Sequence, residues 1–217
     1  MSAGVSQEAV RIGPHALPGE LARPARAVGL VVFAHGSGSS RNSPRNRFVA
    51  TVLHEHRLAT LLFDLLGEDE ANDRRRVFDI ALLCRRLVEA IDWLRERDDA
   101  QQARRRVGLF GASTGAAAAL QAAAARPGQV SALDLRGGRA DLAADIARVQ
   151  APTMLIVGGA DSEVLQGNRA ALHQLHCEKR LEIVPGATHL FDEPGALAAV
   201  AHLAADWCVH HNSERLQ

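Results

Sequence analysis

The chain has 217 residues, of which 47% are hydrophobic and 23% charged, the composition of an ordinary globular domain. Its 25 Lys and Arg residues balance 25 Asp and Glu residues, so no excess of positive charge favours nucleic acid or an anionic membrane. The three cysteines form no CxxC pair, which argues against a disulfide framework and a zinc knuckle. We therefore expect one domain over residues 1–217 with a small-molecule partner and neither a nucleic-acid nor a membrane partner.

The first ten residues are polar and lack the basic and apolar regions of a signal peptide. No run of about 20 strongly apolar residues follows that would cross a membrane. Together with the cysteine content, these features predict a cytoplasmic protein.

Short β-branched runs alternate with helical patterns, which is typical of a mostly parallel sheet with helices on both faces. The predicted strands are 9–12, 16–22, 28–34, 59–65, 107–110, 130–135, 154–157 and 180–184. The predicted helices are 47–56, 77–94, 114–126, 169–176 and 196–210, and the loop before the first is 37–46. In the second helix an apolar stripe predicts that Arg85, Arg86 and Glu89 face water.

A GxSxG pentapeptide, Gly111 to Gly115, lies between a predicted strand and a predicted helix. A serine on such a tight turn needs small residues two positions away, because the backbone is strained and passes close to itself. Ser113 is therefore the candidate nucleophile, at a helix N-terminus that favours negative charge. The alternative is that Ser113 only caps the helix.

A serine nucleophile needs a histidine base and a carboxylate that orients it, in the chain order Ser, Asp or Glu, His. Asp161 follows the strand 154–157 and His189 follows the strand 180–184, which makes them the candidates. Asp161 has the alternative role of a helix N-cap, and His189 that of an ordinary loop histidine. The weaker rival carboxylates are Asp134, Asp141, Asp145 and Glu163. Histidines 54, 56, 173, 176, 202, 210 and 211 are expected to be solvated on or beside helices.

The oxyanion of a tetrahedral intermediate needs backbone donors from the residue after the nucleophile and from an early loop. The Thr114 N–H is the candidate for the first donor, and the Ser37 N–H for the second. Gly36 and Gly38 allow this loop to turn inward. A phosphate cradle is the alternative, but the spacing lacks the third glycine of GxGxxG, and no P-loop lysine follows.

These segments resemble the α/β-hydrolase superfamily, and more narrowly the dienelactone-hydrolase-related group of small bacterial hydrolases. The resemblance rests on FAHGSGSSRNSPRNR (33–47), LLFDLL (61–66), GLFGASTGAAAAL (108–120), RGGR (136–139), LIVGGAD (155–161) and IVPGATHLF (183–191). It implies an eight-stranded sheet and a Ser-His-acid mechanism that maps onto Ser113, His189 and Asp161. Dienelactone hydrolases proper have a cysteine nucleophile, so lactone substrates do not follow for this serine.

About 15 residues separate the strand 130–135 from Pro152, where lids are inserted in lipases, so no helical cap domain is expected. The site should then be open and suited to small or exposed esters. Four arginines lie on loops expected at its rim: Arg41, Arg45, Arg136 and Arg139. Their side chains could hold a carboxylate or phosphate of the substrate, or could pair with surface Asp and Glu.

We expect a metal-independent serine hydrolase, a carboxylesterase that forms an acyl-enzyme and requires no cofactor. His173, His176 and Cys177 form an HxxHC cluster, but no fourth zinc ligand is evident. A thioesterase or acyltransferase with the same triad, and a non-catalytic binding module that retains the fold, are the alternatives.

Overall fold

The computed structural model describes residues 4–97 and 106–213. Its strands are β1 (Val5–Ile12), β2 (Leu17–Pro24), β3 (Gly29–Ala34), β4 (Leu58–Phe63), β5 (Val107–Ala112), β6 (Val130–Arg136), β7 (Thr153–Gly158) and β8 (Lys179–Val184). Its helices are α1 (Pro44–Glu55), α2 (Glu68–Ala71), α3 (Arg74–Val77), α4 (Ile80–Glu96), α5 (Thr114–Ala125), α6 (Ser162–Gln174) and α7 (Ala196–Ser213).

The eight strands form one sheet in the order β1-β2-β4-β3-β5-β6-β7-β8. The hairpin β1–β2 and the pair β2–β4 are antiparallel, and all later pairs are parallel. Because parallel strands share a direction, the carboxyl ends of β3, β5, β6, β7 and β8 meet at one edge of the sheet. The predicted α/β-hydrolase architecture is confirmed.

Apolar layers cover both faces of the sheet. Side chains of β3 alternate between them: Leu30 and Val32 lie in the layer with α4 and α5, whereas Val31 and Phe33 lie in the layer with α1 and α7. This period of two is the geometry of a strand that is buried on both sides.

Helix boundaries differ from the predictions where polar residues carry the signal. Helix α1 begins at Pro44, three residues early, since Ser43 caps it and proline fits the first helical turn. Helix α6 begins at Ser162 instead of residue 169. The short helices α2 and α3 were not predicted.

Two polar side chains that were expected in water are buried. Arg86 of α4 is covered and pairs with Glu70 of α2 at 3.1 Å and with Glu89 at 3.4 Å. His211 packs edge-on against Trp207, with ring centroids 4.3 Å apart. In both cases a packed neighbour, which helical periodicity does not reveal, removes the side chain from solvent.

The segment between β6 and β7 carries no cap domain, as expected. All of residues 137–152 are described, and they contain only two short 3-10 turns, Ala140–Leu142 and Ile146–Arg148. Within the described ranges, no helix combines the length and the apolar character that a membrane span needs.

Candidate active site

Ser113 occupies a strained turn between β5 and α5, with φ 51° and ψ −120°. The turn is possible only because its neighbours lack side chains. A Cβ on Gly115 would lie 2.1 Å from the Ala34 carbonyl oxygen, and one on Gly111 would lie 2.6 Å from the Cα of Ala116. Ser113 occupies the N-cap position of α5, yet its side chain makes no capping hydrogen bond. The strain therefore presents the hydroxyl at the sheet edge, as in a nucleophile elbow.

The structure brings Ser113, His189 and Asp161 together although 76 residues separate the first two. The His189 Nδ1 lies 2.7 Å from the Asp161 Oδ2, so Nδ1–H donates to the carboxylate. The His189 Nε2 lies 3.4 Å from the Ser113 Oγ and is oriented to accept its proton. Such hydroxyl–imidazole contacts are often long without substrate and tighten in the complex.

Asp161 stands in the N-cap position of α6, but its side chain makes no capping hydrogen bond and instead contacts His189. Of the two roles that the sequence left open for Asp161, helix cap or partner of His189, the carboxylate is directed toward the second. Two of the rival carboxylates lie in other surroundings. Asp141 forms an ion pair with Arg139, and Asp134 is fully buried, where desolvation raises its pKa well above the ordinary value.

The His189 loop is held by short polar contacts. Glu193 Oε1 accepts the Thr188 N–H at 3.1 Å and the Thr188 hydroxyl at 2.6 Å. Gly137, at φ 53°, lies beneath the histidine, where a Cβ would be 3.3 Å from the His189 carbonyl oxygen. These contacts fix the loop and leave the His189 side chain 39% exposed, within reach of a substrate.

The two predicted oxyanion donors lie side by side, and one is already occupied. The Ser37 N–H donates to the Thr114 side-chain hydroxyl at 2.9 Å. The Thr114 N–H is at the first position of α5, where a helix supplies no acceptor. Thr114 is thus both the source of one donor and the present partner of the other, which the sequence analysis did not foresee.

His35 positions this loop, a role that the sequence analysis missed. Its Nε2 accepts the Leu65 N–H at 3.0 Å, and its Nδ1 donates to the Gly36 carbonyl oxygen at 3.0 Å. Burial lowers the His35 pKa, which favours the neutral ring that these two bonds require. The available signal was its place directly after the buried strand β3, next to Gly36.

Three of the four candidate arginines are paired with carboxylates. Arg41 contacts Asp64, Arg45 makes a two-pronged contact with Asp192 at 3.0 and 3.1 Å, and Arg139 contacts Asp141 at 2.8 Å. For these residues the surface-pairing alternative describes the structure.

Arg136 differs from the other three. It is 9% exposed, and its Nε and Nη1 are buried without a hydrogen-bond partner. Desolvation, reinforced by the nearby Arg45 and opposed by Asp192, lowers its pKa to about 10.

A cleft of about 630 Å³ opens in front of the triad. Its lining comprises Ser113, Arg136, His189 and Leu190 together with residues 36–40 and 42–45. A neighbouring cleft of about 580 Å³ shares residues 36–40 but contains neither Ser113 nor His189. Of these two clefts, the first is the one that the candidate nucleophile and base line.

Among the residues that the structure describes, no three His, Cys, Asp or Glu side chains lie close enough together to bind a metal ion. The HxxHC residues do not share one helical face, because α6 ends at Gln174 and the Cys177 thiol contacts the Thr153 hydroxyl at 3.7 Å.

Comparison with known proteins places this geometry in a family. Residues 65–209 match the dienelactone hydrolase family. The crystal structure of a dienelactone hydrolase from Anabaena variabilis is 53% identical, with a TM-score of 0.90 over 97% of this chain and 99% of that one. An α/β serine hydrolase homologue from Coxiella burnetii shares the fold, with a TM-score of 0.73 at 19% identity over 95% of this chain and 97% of that one.

Two curated Mycobacterium tuberculosis proteins, from strains CDC 1551 and H37Rv, are 53% identical over 200 residues. Each is named a putative phosphoribosyl transferase. The alignment covers 92% of this chain and 45% of each relative, so the chain spans about half of their length. The family match, the 53% identity over nearly all of the Anabaena variabilis structure and the shared fold agree: the chain belongs to the dienelactone hydrolase family.

Proposed function

We propose that the chain is a metal-independent serine hydrolase that cleaves carboxylic esters through an acyl-enzyme. One observation carries the proposal: Ser113, in a backbone conformation that costs about 1–3 kcal/mol, presents its hydroxyl to His189, which Asp161 orients in turn. Strain of this kind persists where surrounding contacts impose it, and a helix cap alone does not require it.

The mechanism follows from these contacts. His189 Nε2 accepts the proton as the Ser113 Oγ attacks the ester carbonyl, and Asp161 stabilises the resulting imidazolium. The tetrahedral intermediate collapses, the alcohol leaves with the proton from His189, and the acyl group remains on Ser113. Water, deprotonated by His189, then attacks the acyl carbon; the bond to the Ser113 Oγ breaks as His189 returns the proton to that oxygen, and the acid is released.

The oxyanion is assigned to the N–H groups of Thr114 and Ser37. The Ser37 N–H must exchange the Thr114 hydroxyl for the oxyanion as charge develops, a change of partner within one small site. Donors that are held in place before the reaction stabilise the developing charge most effectively, and His35 supplies that rigidity through the Gly36 carbonyl.

Small or exposed esters are the proposed substrates, because the described segment 137–152 forms no cap domain and His189 is partly exposed. All three cysteines are free, which supports a reducing, cytoplasmic location. The same triad permits thioester hydrolysis or acyl transfer, and hydrolysis with competing thiols or alcohols separates these reactions by their products. We do not extend the phosphoribosyl transferase name to this chain, since more than half of each such relative lies outside the alignment.

Labelling with a fluorophosphonate tests the proposal. The probe is expected to label the wild type and to leave Ser113→Ala unlabelled, while p-nitrophenyl acetate hydrolysis falls in parallel. A wild type that neither labels nor hydrolyses a panel of short-chain esters would instead identify a binding module that retains the fold.

A further inference from the structure

The buried guanidinium of Arg136 has no obvious structural purpose. Arg136 is the last residue of β6, and its backbone carbonyl accepts the Ser113 N–H at 3.2 Å. This contact does not involve the side chain. The side chain is almost fully buried, and two of its nitrogens have no hydrogen-bond partner. Burying a cation without a paired carboxylate is unfavourable, so the fold alone gives no reason for an arginine here.

The charges around Arg136 leave it short of negative partners. Arg45 and Asp192 are the charged groups that act on it, with opposite signs. The Asp192 carboxylate is already occupied by both prongs of Arg45, at 3.0 and 3.1 Å. Arg41 and Arg139 have their own carboxylates, so Arg136 is the candidate arginine whose fork lacks one.

The same cleft wall offers further groups suited to an oxyanion. Its lining includes Ser37, Ser39, Ser40, Asn42 and Ser43. The 12-residue helix α1 also begins at the cleft with Pro44, and its dipole favours negative charge there, although Pro44 has no N–H and the Ser43 hydroxyl already accepts the Asn46 N–H. Hydroxyls, an amide and a buried arginine thus line one cleft, a set that suits the three terminal oxygens and the double charge of a phosphate.

We propose that Arg136 is a specificity-determining residue that binds a phosphate group carried by the ester substrate. This inference rests on the proposed function, because it names the substrate class of the same site. A phosphate monoester brings close to two negative charges and three terminal oxygens, and arginine binds such groups with its planar fork. The substrate class is a small carboxylic ester with a phosphate a few bonds from the reacting carbonyl.

The test compares three acetate esters that differ in one group: those of ethylene glycol monophosphate, of ethylene glycol monomethyl ether and of hydroxypropanoic acid. The wild type is expected to have its highest kcat/KM with the phosphate ester. Arg136→Met should lower that kcat/KM by about 30-fold or more, through KM, and change the value for the neutral ether ester by less than about threefold. Arg139→Gln, which removes a rim charge paired with Asp141, should keep the preference for phosphate.

Stability separates this role from a structural one. If the guanidinium only supported the fold, Arg136→Met would lower the midpoint of thermal unfolding. The proposal expects an equal or higher midpoint, because an apolar side chain of similar length replaces a buried cation without a hydrogen-bonded carboxylate. Arg136→Lys provides a second variant that keeps the charge but loses the fork, and it should weaken the phosphate ester's kcat/KM at least about tenfold.

A binding measurement that needs no catalysis distinguishes failure of this inference from failure of the esterase proposal. Inorganic phosphate should raise the thermal midpoint of Ser113→Ala above that in chloride of equal ionic strength, and should not do so in Ser113→Ala with Arg136→Met. An equal response of both proteins, a preference for the carboxylate ester, or equal losses on phosphate and neutral esters in Arg136→Met would each overturn the assignment.

Discussion

Replacing Asp161 by asparagine isolates the charge that the mechanism places behind His189. The substitution keeps the size of the side chain, but the amide carries one oxygen and no negative charge. Because Asp161 makes no capping hydrogen bond to α6, asparagine loses no cap, and we expect the free energy of unfolding to change by less than about 1 kcal/mol.

The size of the loss in kcat follows from the contact between Asp161 and His189. The Asp161 side chain is 15% exposed, and its Oδ2 lies 2.7 Å from the His189 Nδ1. Unit charges about 4 Å apart interact by about 4 kcal/mol at an effective dielectric constant of about 20. The 39% exposure of His189 reduces this to about 3 kcal/mol through screening, or about 150-fold in rate. Asparagine also favours the wrong tautomer of His189, so we expect kcat to fall about 10³- to 10⁴-fold in total.

The assay is hydrolysis of p-nitrophenyl acetate at saturating substrate, with urea unfolding as the check on the fold. Glu163→Gln is the matched control, since it removes the rival carboxylate two residues away in the first turn of α6. It should retain kcat within about threefold. A kcat for Asp161→Asn within tenfold of the wild type, or an equal loss in Glu163→Gln, would refute the assignment of the acid.

Three further predictions concern the rest of the framework. Thr114→Val removes the acceptor of the Ser37 N–H, so it should lower the free energy of unfolding by about 1–3 kcal/mol and should also lower kcat. Thr114→Ser retains the hydroxyl and should keep the stability and the kcat of the wild type. An unchanged urea midpoint in the valine variant would contradict this prediction. Gly115→Ala forces a Cβ against the Ala34 carbonyl and should lower the free energy of unfolding by about 3 kcal/mol or more. The control Gly128→Ala, at a position with a positive φ but open space around it, should lower it by about 1 kcal/mol. Similar losses in the two variants would argue against the tight elbow. Burial raises the Asp134 pKa, so the folded state retains a proton that the unfolded chain releases. Stability should therefore fall as pH rises above the ordinary Asp pKa, by up to about 1.4 kcal/mol per pH unit. Asp134→Asn should remove that slope, and a slope that persists in this variant would assign it to another group.

Strong local patterns made the fold and the triad positions predictable from the sequence. The strand-turn-helix context of Ser113 and the positions of Asp161 and His189 after later strands depend only on the common direction of parallel strands. That geometry brings their side chains to one sheet edge whatever the details of packing. The match of Gly111 and Gly115 to the elbow likewise follows from local sterics.

Long-range contacts explain what the sequence left undetermined. Nothing in a helical repeat indicates that Arg86 will meet Glu70 of an unpredicted helix, or that His211 will lie against Trp207. The four rim arginines look equivalent as sequence, and only their partners in the fold separate Arg136 from the others. The occupied Ser37 N–H is a side-chain contact across 77 residues, which no local pattern encodes.

The central claim is that an acyl group is transferred to Ser113 and then released to water. Intact-mass and peptide mass spectrometry after rapid acid quench of the wild type with p-nitrophenyl acetate tests it most directly. Acyl transfer predicts an acetyl group on the peptide that contains Ser113, which forms within one turnover and disappears as substrate is exhausted. A turning-over enzyme with no acetyl group at Ser113, or with the acetyl group on a cysteine, would contradict it.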